Sequence, residues 1–176
     1  MREKWIVETK KGDFNGLSAK LKVSPLAVRC PMNRGVESEQ EMREFLYGTL
    51  DDLHDPFLMK GMDEAVREIV KAKEQGRKVA IASDFDCDGI FSAYILWKGF
   101  QKIGLDSEIF TPDRVKEGYG LNRRIVDEAL AGGRDFLVTC DNGIAANEEV
   151  DYAKKLGMTV IVTDHHEVQE QMPDAD

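Results

Sequence analysis

Three aspartates stand close together directly after a short apolar segment. The segment Val79–Ala82 is rich in β-branched residues and uninterrupted, which is typical of a strand buried on both faces of a parallel sheet. Asp84, Asp86 and Asp88 follow it, so they would lie where open α/β sheets bind ligands. Like charges at this spacing repel one another by about 1 kcal/mol per pair even in water. The cluster therefore predicts a site for divalent metal ions.

The same stretch has other interpretations. A calcium-binding EF-hand loop also begins with D-x-D-x-D-G, but it needs a preceding helix and a glutamate at its twelfth position, which here is Ile95. A strand followed by D-x-D also resembles the phosphatases of the haloacid dehalogenase type, in which an aspartate is the nucleophile. A solvated acidic turn fits poorly, because strongly apolar segments flank the aspartates on both sides. The choice between a metal site and a phosphatase of this type depends on the motifs in the rest of the chain.

Two further polar clusters also follow apolar segments. Asp141 comes directly after Phe136–Cys140, and Asp164, His165 and His166 come directly after Thr159–Thr163. Parallel strands bring their carboxyl ends to one edge of a sheet, so we expect these side chains to meet the three aspartates there.

Carboxylates together with imidazoles suit Mn²⁺ better than Mg²⁺ or Ca²⁺, and Zn²⁺ is also compatible with them. Four aspartates and one or two histidines are enough for two ions that share a bridging carboxylate. Such a pair of ions promotes in-line displacement at phosphorus. The second histidine need not bind metal, because it could instead donate to a phosphate oxygen or assist the leaving group.

A basic loop follows the predicted second strand, with the sequence PDRVKEGYGLNRR. We predict that Arg114, Gly118 and Tyr119 contact the substrate, since arginine binds phosphate oxygens and glycine lets the backbone approach closely. Arg123 and Arg124 are explained equally well as the solvated start of a helix.

Alternating strand and helix patterns from residue 61 onward predict the fold class, an α/β doubly wound parallel sheet flanked by helices. Strands are predicted at Val79–Ala82, Ser107–Phe110, Phe136–Cys140 and Thr159–Thr163. Helices are predicted from Met62 to Gly76, from Ile90 to Ile103 after a tight turn at Gly89, from Leu121 to Gly132, and from Ala146 to Gly157.

Residues 1–60 differ in sequence pattern from the rest of the chain. They predict a small helical N-terminal appendage with a turn-rich connector. A short strand is expected at Lys4–Glu8 and a helix at Ser24–Asn33. Ser38 and Glu41 form the sequence pattern of a capping box, which predicts a helix through Leu46.

Composition limits the class of protein. The chain of 176 residues has no apolar run long enough to span a membrane, and three cysteines without C-x-x-C spacing suggest neither disulfides nor a zinc ribbon. We therefore expect a cytoplasmic protein without membrane contact. The net charge of −9 argues against nucleic acid as a ligand, although bound cations would change the local sign.

Taken together, three motifs resemble those of the DHH phosphoesterase family. They are the D-x-D-x-D-G of Asp84–Gly89, the D-N-G of Asp141–Gly143, and the D-H-H of Asp164–His166. The segments EGYGL, DLHDPFLMKGM and SPLAVRCPMNRG are most similar to the single-strand-specific exonuclease branch of that family, so the resemblance covers nearly the whole chain.

The resemblance implies a hydrolase, a 5′-to-3′ exonuclease on single-stranded DNA in repair and recombination that uses two Mn²⁺ or Mg²⁺ ions. It also implies repair proteins such as a helicase or a single-strand-binding protein as further partners. Metal would be bound by Asp84, Asp86, Asp88, Asp141 and His165, with Asp141 as the bridge, unless Asp84 only supports the other ligands. In the catalytic pair, His166 would contact the scissile phosphate and Asp164 would support it. Arg114 would lie near the terminal 5′ phosphate.

The family pattern has a further metal-binding aspartate and a second domain, and neither is present by Asp176. We therefore expect residues 61–176 to be a C-terminally incomplete DHH domain that is inactive alone. Two alternatives remain: hydrolysis of short oligonucleotides, cyclic dinucleotides or pyrophosphate, and an inactive module that binds without hydrolysis.

Overall fold

The computed structural model describes residues 4–6 and 10–176. The chain divides into two compact units, Met1–Leu58 and Met59–Asp176. The strand expected at Lys4–Glu8 lies partly outside the described residues, and Lys4–Ile6 has no regular secondary structure.

The first unit is helical. Its elements are α1 (Phe14–Leu21), α2 (Pro25–Asn33), α3 (Glu39–Tyr47) and short 3₁₀ turns at Leu50–Asp52 and Pro56–Leu58. The capping box is present: Ser38 Oγ accepts from Glu41 N at 3.1 Å, and Ser38 N donates to the Glu41 carboxylate at 3.0 Å. Helix α1, which the sequence analysis did not predict, packs into a small core with α2 and α3. The buried members of that core are Leu21, Val28, Met32 and Met42.

The second unit alternates helices and strands. Its elements are α4 (Met62–Glu74), β1 (Val79–Ser83), α5 (Cys87–Ile103), β2 (Ser107–Phe110), α6 (Arg123–Ala131), β3 (Phe136–Cys140), α7 (Asn147–Lys155) and β4 (Thr159–Thr163). All strand pairs are parallel, and in the described part of the chain the sheet order is β2-β1-β3-β4. The chain leaves β1 for β2 on one side and returns to β3 on the other, so the order reverses between β1 and β3. This confirms the predicted doubly wound sheet.

Helices cover both faces of the sheet. One core joins α4 and α5 to the sheet through Ala72, Ala93 and Phe100, and the other joins α6 and α7 through Ile125 and Val150. Every residue of β1 and β3 is buried, as their apolar sequences predict. Among the described residues no helix is both long enough and apolar enough to cross a membrane.

Helix α5 begins earlier than expected, and this changes the role of Gly89. Asp86 caps the helix by accepting a hydrogen bond from Gly89 N at 3.1 Å, so Asp88 and Gly89 lie in the first turn. The predicted tight turn at Gly89 is therefore wrong. A Cβ atom on Gly89 would lie 2.4 Å from the backbone oxygen of Asp84, so glycine is required there for close approach.

We expect Gly89→Ala to lower the free energy of unfolding by about 1–3 kcal/mol, because the added methyl group forces the backbone of Asp84 away from α5. Gly99→Ala in the same helix is the matched control. Apart from the backbone of α5 itself and the two neighbouring residues, no heavy atom of the described residues lies within 4 Å of a Cβ built there, so Gly99→Ala should be neutral or stabilising by up to about 1 kcal/mol. Urea unfolding of both variants measures the difference, and equal stabilities would contradict the close contact.

Candidate metal centre and nuclease site

Five of the predicted site residues meet at the carboxyl edge of the sheet, where its strand order reverses. Ligand atoms of Asp84, Asp86 and Asp141 lie within 4.8 Å of one another, and so do those of Asp141, His165 and His166. Asp141 belongs to both groups. The geometry thus provides two adjoining sets of ligands with one shared carboxylate.

Each of the two buried carboxylates at this edge has one oxygen without a hydrogen-bond partner among the described residues. Asp84 is 1% exposed and Asp141 is 6% exposed. Within the described part of the chain, Asp84 Oδ1 and Asp141 Oδ2 are buried and have no hydrogen-bond partner. A buried carboxylate oxygen without a donor is costly unless a cation neutralises it. The residues present therefore fit a divalent cation.

Asp141 has an unusual backbone conformation. Its φ of +62° lies in the left-handed region, which costs an L-residue about 1–2 kcal/mol and is least unfavourable for Asn and Asp. Three contacts hold the residue: its N–H donates to Thr163 O at 3.1 Å, its carbonyl accepts from Tyr119 Oη at 2.7 Å, and its Oδ1 lies 2.8 Å from His165 Nε2. The strained backbone is therefore stabilised from both neighbouring loops.

The side chain of Asn142 connects three segments behind the carboxylates. It is 1% exposed, donates to Ala82 O at 3.1 Å and to Cys140 O at 2.9 Å, and accepts from Leu121 N at 3.1 Å. The sequence analysis did not assign Asn142 a role. The signal for it was the D-N-G motif itself, since a polar residue directly after a buried strand needs partners.

Asp164 orients the histidine pair. Its Oδ1 lies 2.7 Å from His166 Nδ1 and accepts from His165 N at 2.8 Å, while its Oδ2 accepts from Ile144 N at 3.0 Å. Burial raises the pKa of Asp164, but the hydrogen bonds from Ile144 and His166 outweigh it and hold that pKa below its usual value. In return, the Asp164 carboxylate raises the pKa of His166. The pair therefore favours a charged imidazolium next to a carboxylate.

The pKa values of Asp141 and Asp86 are shifted in opposite directions. Burial raises the pKa of Asp141 despite the hydrogen bond from His165, whereas the N–H of Gly89 lowers the pKa of Asp86. A bound cation would reverse the effect on Asp141, since it favours the ionised form. Burial next to Asp141 also raises the pKa of the Cys140 thiol to about 12, so this cysteine stays protonated near neutral pH.

Asp88 is not part of either ligand group. It lies in the first turn of α5 and lines a groove of about 690 Å³ together with Phe91, Ile95, Asp141 and His165. A second cavity, of about 590 Å³, lies beside His166. Its walls include Tyr119, Leu121, Ile144 and Glu149. Residues of the second ligand group thus line two open depressions, with Asp141 and His165 on one and His166 on the other.

The predicted substrate-binding residues lie in the loop between β2 and α6. The Arg114 guanidinium stacks over the Phe85 ring at 4.9 Å, which places it beside the loop of the first aspartates. Gly118 has a φ of +81°, and Tyr119 contacts both Asp141 and His166.

The two arginines at the start of α6, Arg123 and Arg124, are paired within the protein. Arg124 binds Glu117 and Glu128, and Arg123 lies 3.9 Å from the Glu148 carboxylate and stacks over the Tyr152 ring. Of the three arginines, Arg114 alone has no ion pair within residues 4–6 and 10–176. This favours Arg114 for an anionic ligand.

Residues 78–176 match the model of the DHH family, N-terminal domain. The chain therefore belongs to the DHH family. This decides against the haloacid-dehalogenase-type interpretation of the first aspartates.

Several similar proteins are single-stranded-DNA-specific exonucleases named RecJ. RecJ of Bacillus subtilis (strain 168) is 37% identical over 172 residues, which are 97% of this chain and 22% of that protein. RecJ of Escherichia coli (strain K12) is 35% identical over 153 residues, which are 86% of this chain and 26% of that protein. The chain thus spans between a fifth and about a quarter of the length of these relatives.

Solved RecJ structures share the fold. The crystal structure of exonuclease RecJ bound to manganese superposes with a TM-score of 0.62 at 35% identity, covering 66% of this chain and 30% of that one. RecJ in complex with Mn²⁺ from Thermus thermophilus gives a TM-score of 0.65 at 28% identity, covering 92% of this chain and 22% of that one.

The ion pair between Glu117 and Arg124 anchors the loop before α6. It leads to a prediction about how the free energy of unfolding depends on pH. The hydrogen bond from Arg124, and then that from Asp113 N, lower the pKa of Glu117 from 4.5 to about 2. A carboxyl whose pKa is lower in the folded state contributes stability above pH 4.5 and loses it as the pH falls towards 2. Glu117→Gln should therefore make the acid-induced fall in unfolding free energy shallower across this window. Urea unfolding at several pH values measures the slope, and identical slopes would contradict the interaction.

Proposed function

We propose that this chain carries most of the nuclease centre of a metal-dependent 5′-to-3′ exonuclease on single-stranded DNA, acting in repair and recombination. The observation that carries the proposal is the buried Asp141 carboxylate, shared by two ligand groups and left with an unpaired oxygen among the described residues. The relatives named as single-stranded-DNA-specific exonucleases, and the RecJ structures with manganese, support it.

In this proposal, two Mn²⁺ or Mg²⁺ ions are held by Asp84, Asp86, Asp88, Asp141 and His165. When bound, the ions would polarise the phosphodiester and lower the pKa of the attacking water. Asp88 stays in the proposed set because it lines the same groove as Asp141 and His165. The two ions would also add four positive charges to a chain whose net charge is −9, which reduces the repulsion of DNA.

His166 and Asp164 form the proposed catalytic pair. Asp164 fixes the imidazole through Nδ1 and favours its protonated form, so His166 can donate to a non-bridging phosphate oxygen and stabilise its developing charge. Asp164 keeps its charge because its own pKa is low.

Arg114 is the proposed contact of the terminal 5′ phosphate, because its guanidinium is held by stacking on Phe85. Gly118 and the ring of Tyr119 would complete the substrate-binding surface.

The remaining proposals concern the whole protein. Residues 1–60 would form an appendage and connector, and residues 61–176 the DHH domain. Further partners would be repair proteins such as a helicase or a single-strand-binding protein, and the location would be the cytoplasm.

The complete gene product should degrade 5′-phosphorylated single-stranded DNA from its 5′ end in Mn²⁺ and spare the duplex. Asp141→Asn should reduce turnover by at least about a hundredfold without unfolding the protein, since one change weakens both ligand groups. Gel analysis of end-labelled strands measures this, with circular dichroism as the control for folding. Faster cleavage of dinucleotides than of long strands would favour the short-substrate alternative, and near-normal turnover by Asp141→Asn would exclude the shared carboxylate.

Substitutions of the two histidines should affect Mn²⁺ binding and turnover differently. His165→Ala should weaken Mn²⁺ binding about tenfold or more, because His165, unlike His166, is a proposed metal ligand. His166→Ala should bind Mn²⁺ nearly as tightly as the natural protein and lose mainly kcat. Calorimetric Mn²⁺ titration of both variants tests the assignment, and equal losses of affinity would show that it is wrong.

A further inference from the structure

We propose that the hydroxyl group of Tyr119 is a positioning element that holds Asp141 and His166 in their working arrangement. This inference rests on the proposed function, and it gives the hydroxyl a role separate from any contact between the tyrosine ring and the substrate.

One hydroxyl group connects the loops that follow two different strands. Tyr119 Oη donates to Asp141 O at 2.7 Å and lies 3.2 Å from His166 Nδ1 and 3.4 Å from its Nε2. The hydroxyl proton goes to the Asp141 carbonyl, and the Nδ1–H of His166 goes to Asp164 Oδ1 at 2.7 Å, so the Tyr119 oxygen lies against the imidazole ring and limits its movement. The two rings also meet edge to face, with their centroids 5.6 Å apart.

The contact falls on the strained residue of the site. Asp141 has a left-handed backbone with a φ of +62°, and its carbonyl and its carboxylate side chain are attached to the same Cα atom. A donor on the carbonyl therefore restrains the carboxylate that the two ligand groups share. Two residues further along the same loop, Leu121 N donates to Asn142 Oδ1 at 3.1 Å. The loop before α6 thus donates hydrogen bonds to both Asp141 and Asn142.

The loop is built to present this tyrosine. Gly118 and Gly120 both have a φ of +81°, so the backbone turns on each side of Tyr119 in a conformation that other residues rarely adopt. The start of the loop is anchored, because Glu117 accepts from Asp113 N at 2.7 Å and binds Arg124. An anchored loop can transmit a restraint that a mobile one could not.

Removing the hydroxyl should act on chemistry more than on substrate affinity. Groups that orient metal ligands typically change metal affinity or activity by about 10–100-fold when they are removed. We therefore expect Tyr119→Phe to weaken Mn²⁺ binding about tenfold and to lower kcat by about 10–100-fold, with the KM for DNA within about twofold of the natural value.

The matched control is Tyr152→Phe. Tyr152 donates from its hydroxyl to Asp127 Oδ1 at 2.8 Å, so Tyr152→Phe also loses one tyrosine hydrogen bond, but outside the two ligand groups. This variant should keep Mn²⁺ affinity and kcat. Tyr119→Leu, which also removes the ring, should show the losses of Tyr119→Phe and in addition a raised KM if the ring touches the DNA.

The experiment combines calorimetric Mn²⁺ titration, steady-state kinetics on single-stranded DNA and thermal unfolding, all with the complete gene product. Tyr119→Phe with natural metal affinity and kcat would overturn the inference. If Tyr119→Phe only raised the KM for DNA, the inference would also be overturned, because the hydroxyl would then act by contacting the substrate.

A crystal structure of metal-free Tyr119→Phe separates this inference from the proposed function. If the natural protein binds no Mn²⁺, the proposed function fails, yet a displaced Asp141 backbone or His166 ring in the variant still supports positioning. An unchanged Asp141 and His166 in that structure would overturn the inference whatever the metal binding of the natural protein.

Discussion

Negative charge is concentrated at the carboxyl edge of the sheet, and the surrounding strands and loops have to hold it there. Asp84 and Asp141 are buried there beside Asp86, and an oxygen on each buried carboxylate faces no donor within the described residues. Such an arrangement is unfavourable for the folded protein alone and becomes favourable with cations. The fully buried strands β1 and β3 supply the rigid support that keeps these carboxylates from moving apart.

Segments that are distant in the chain also have to keep their relative positions at this edge. Asn142 joins the ends of β1 and β3 to the loop before α6, and Asp164 joins the turn after β3 to both histidines. The hydrogen bonds of Asn142 are buried and the one from Ile144 to Asp164 is partly buried, and in such surroundings an unmade bond costs more than a made bond gains. The arrangement of the ligand groups and the stability of the fold are therefore maintained by the same polar side chains.

The strands and the convergence of the site could be predicted, because each strand is a short apolar run, and three of the four lead directly into Asp or Asp-His-His clusters. The start of α5 could not, since Asp86 has the pattern of a metal ligand and of a helix cap at once. That difference moved Asp88 into the helix and away from the ligand groups. The D-N-G motif indicated that Asn142 needs partners but not which ones, because two of them lie 60 and 21 residues away in the chain.

The double use of Asp86 limits how this site can evolve. Its carboxylate accepts the hydrogen bond that starts α5 and also belongs to a ligand group. Asn, Ser and Thr can cap a helix but carry no charge, whereas Glu keeps the charge and is not among the preferred caps. Aspartate is thus the residue that meets both needs, so selection for folding and selection for activity would remove the same mutations. A lineage that lost the enzymatic activity could still retain this aspartate, and its presence alone would not reveal whether the protein is a working nuclease.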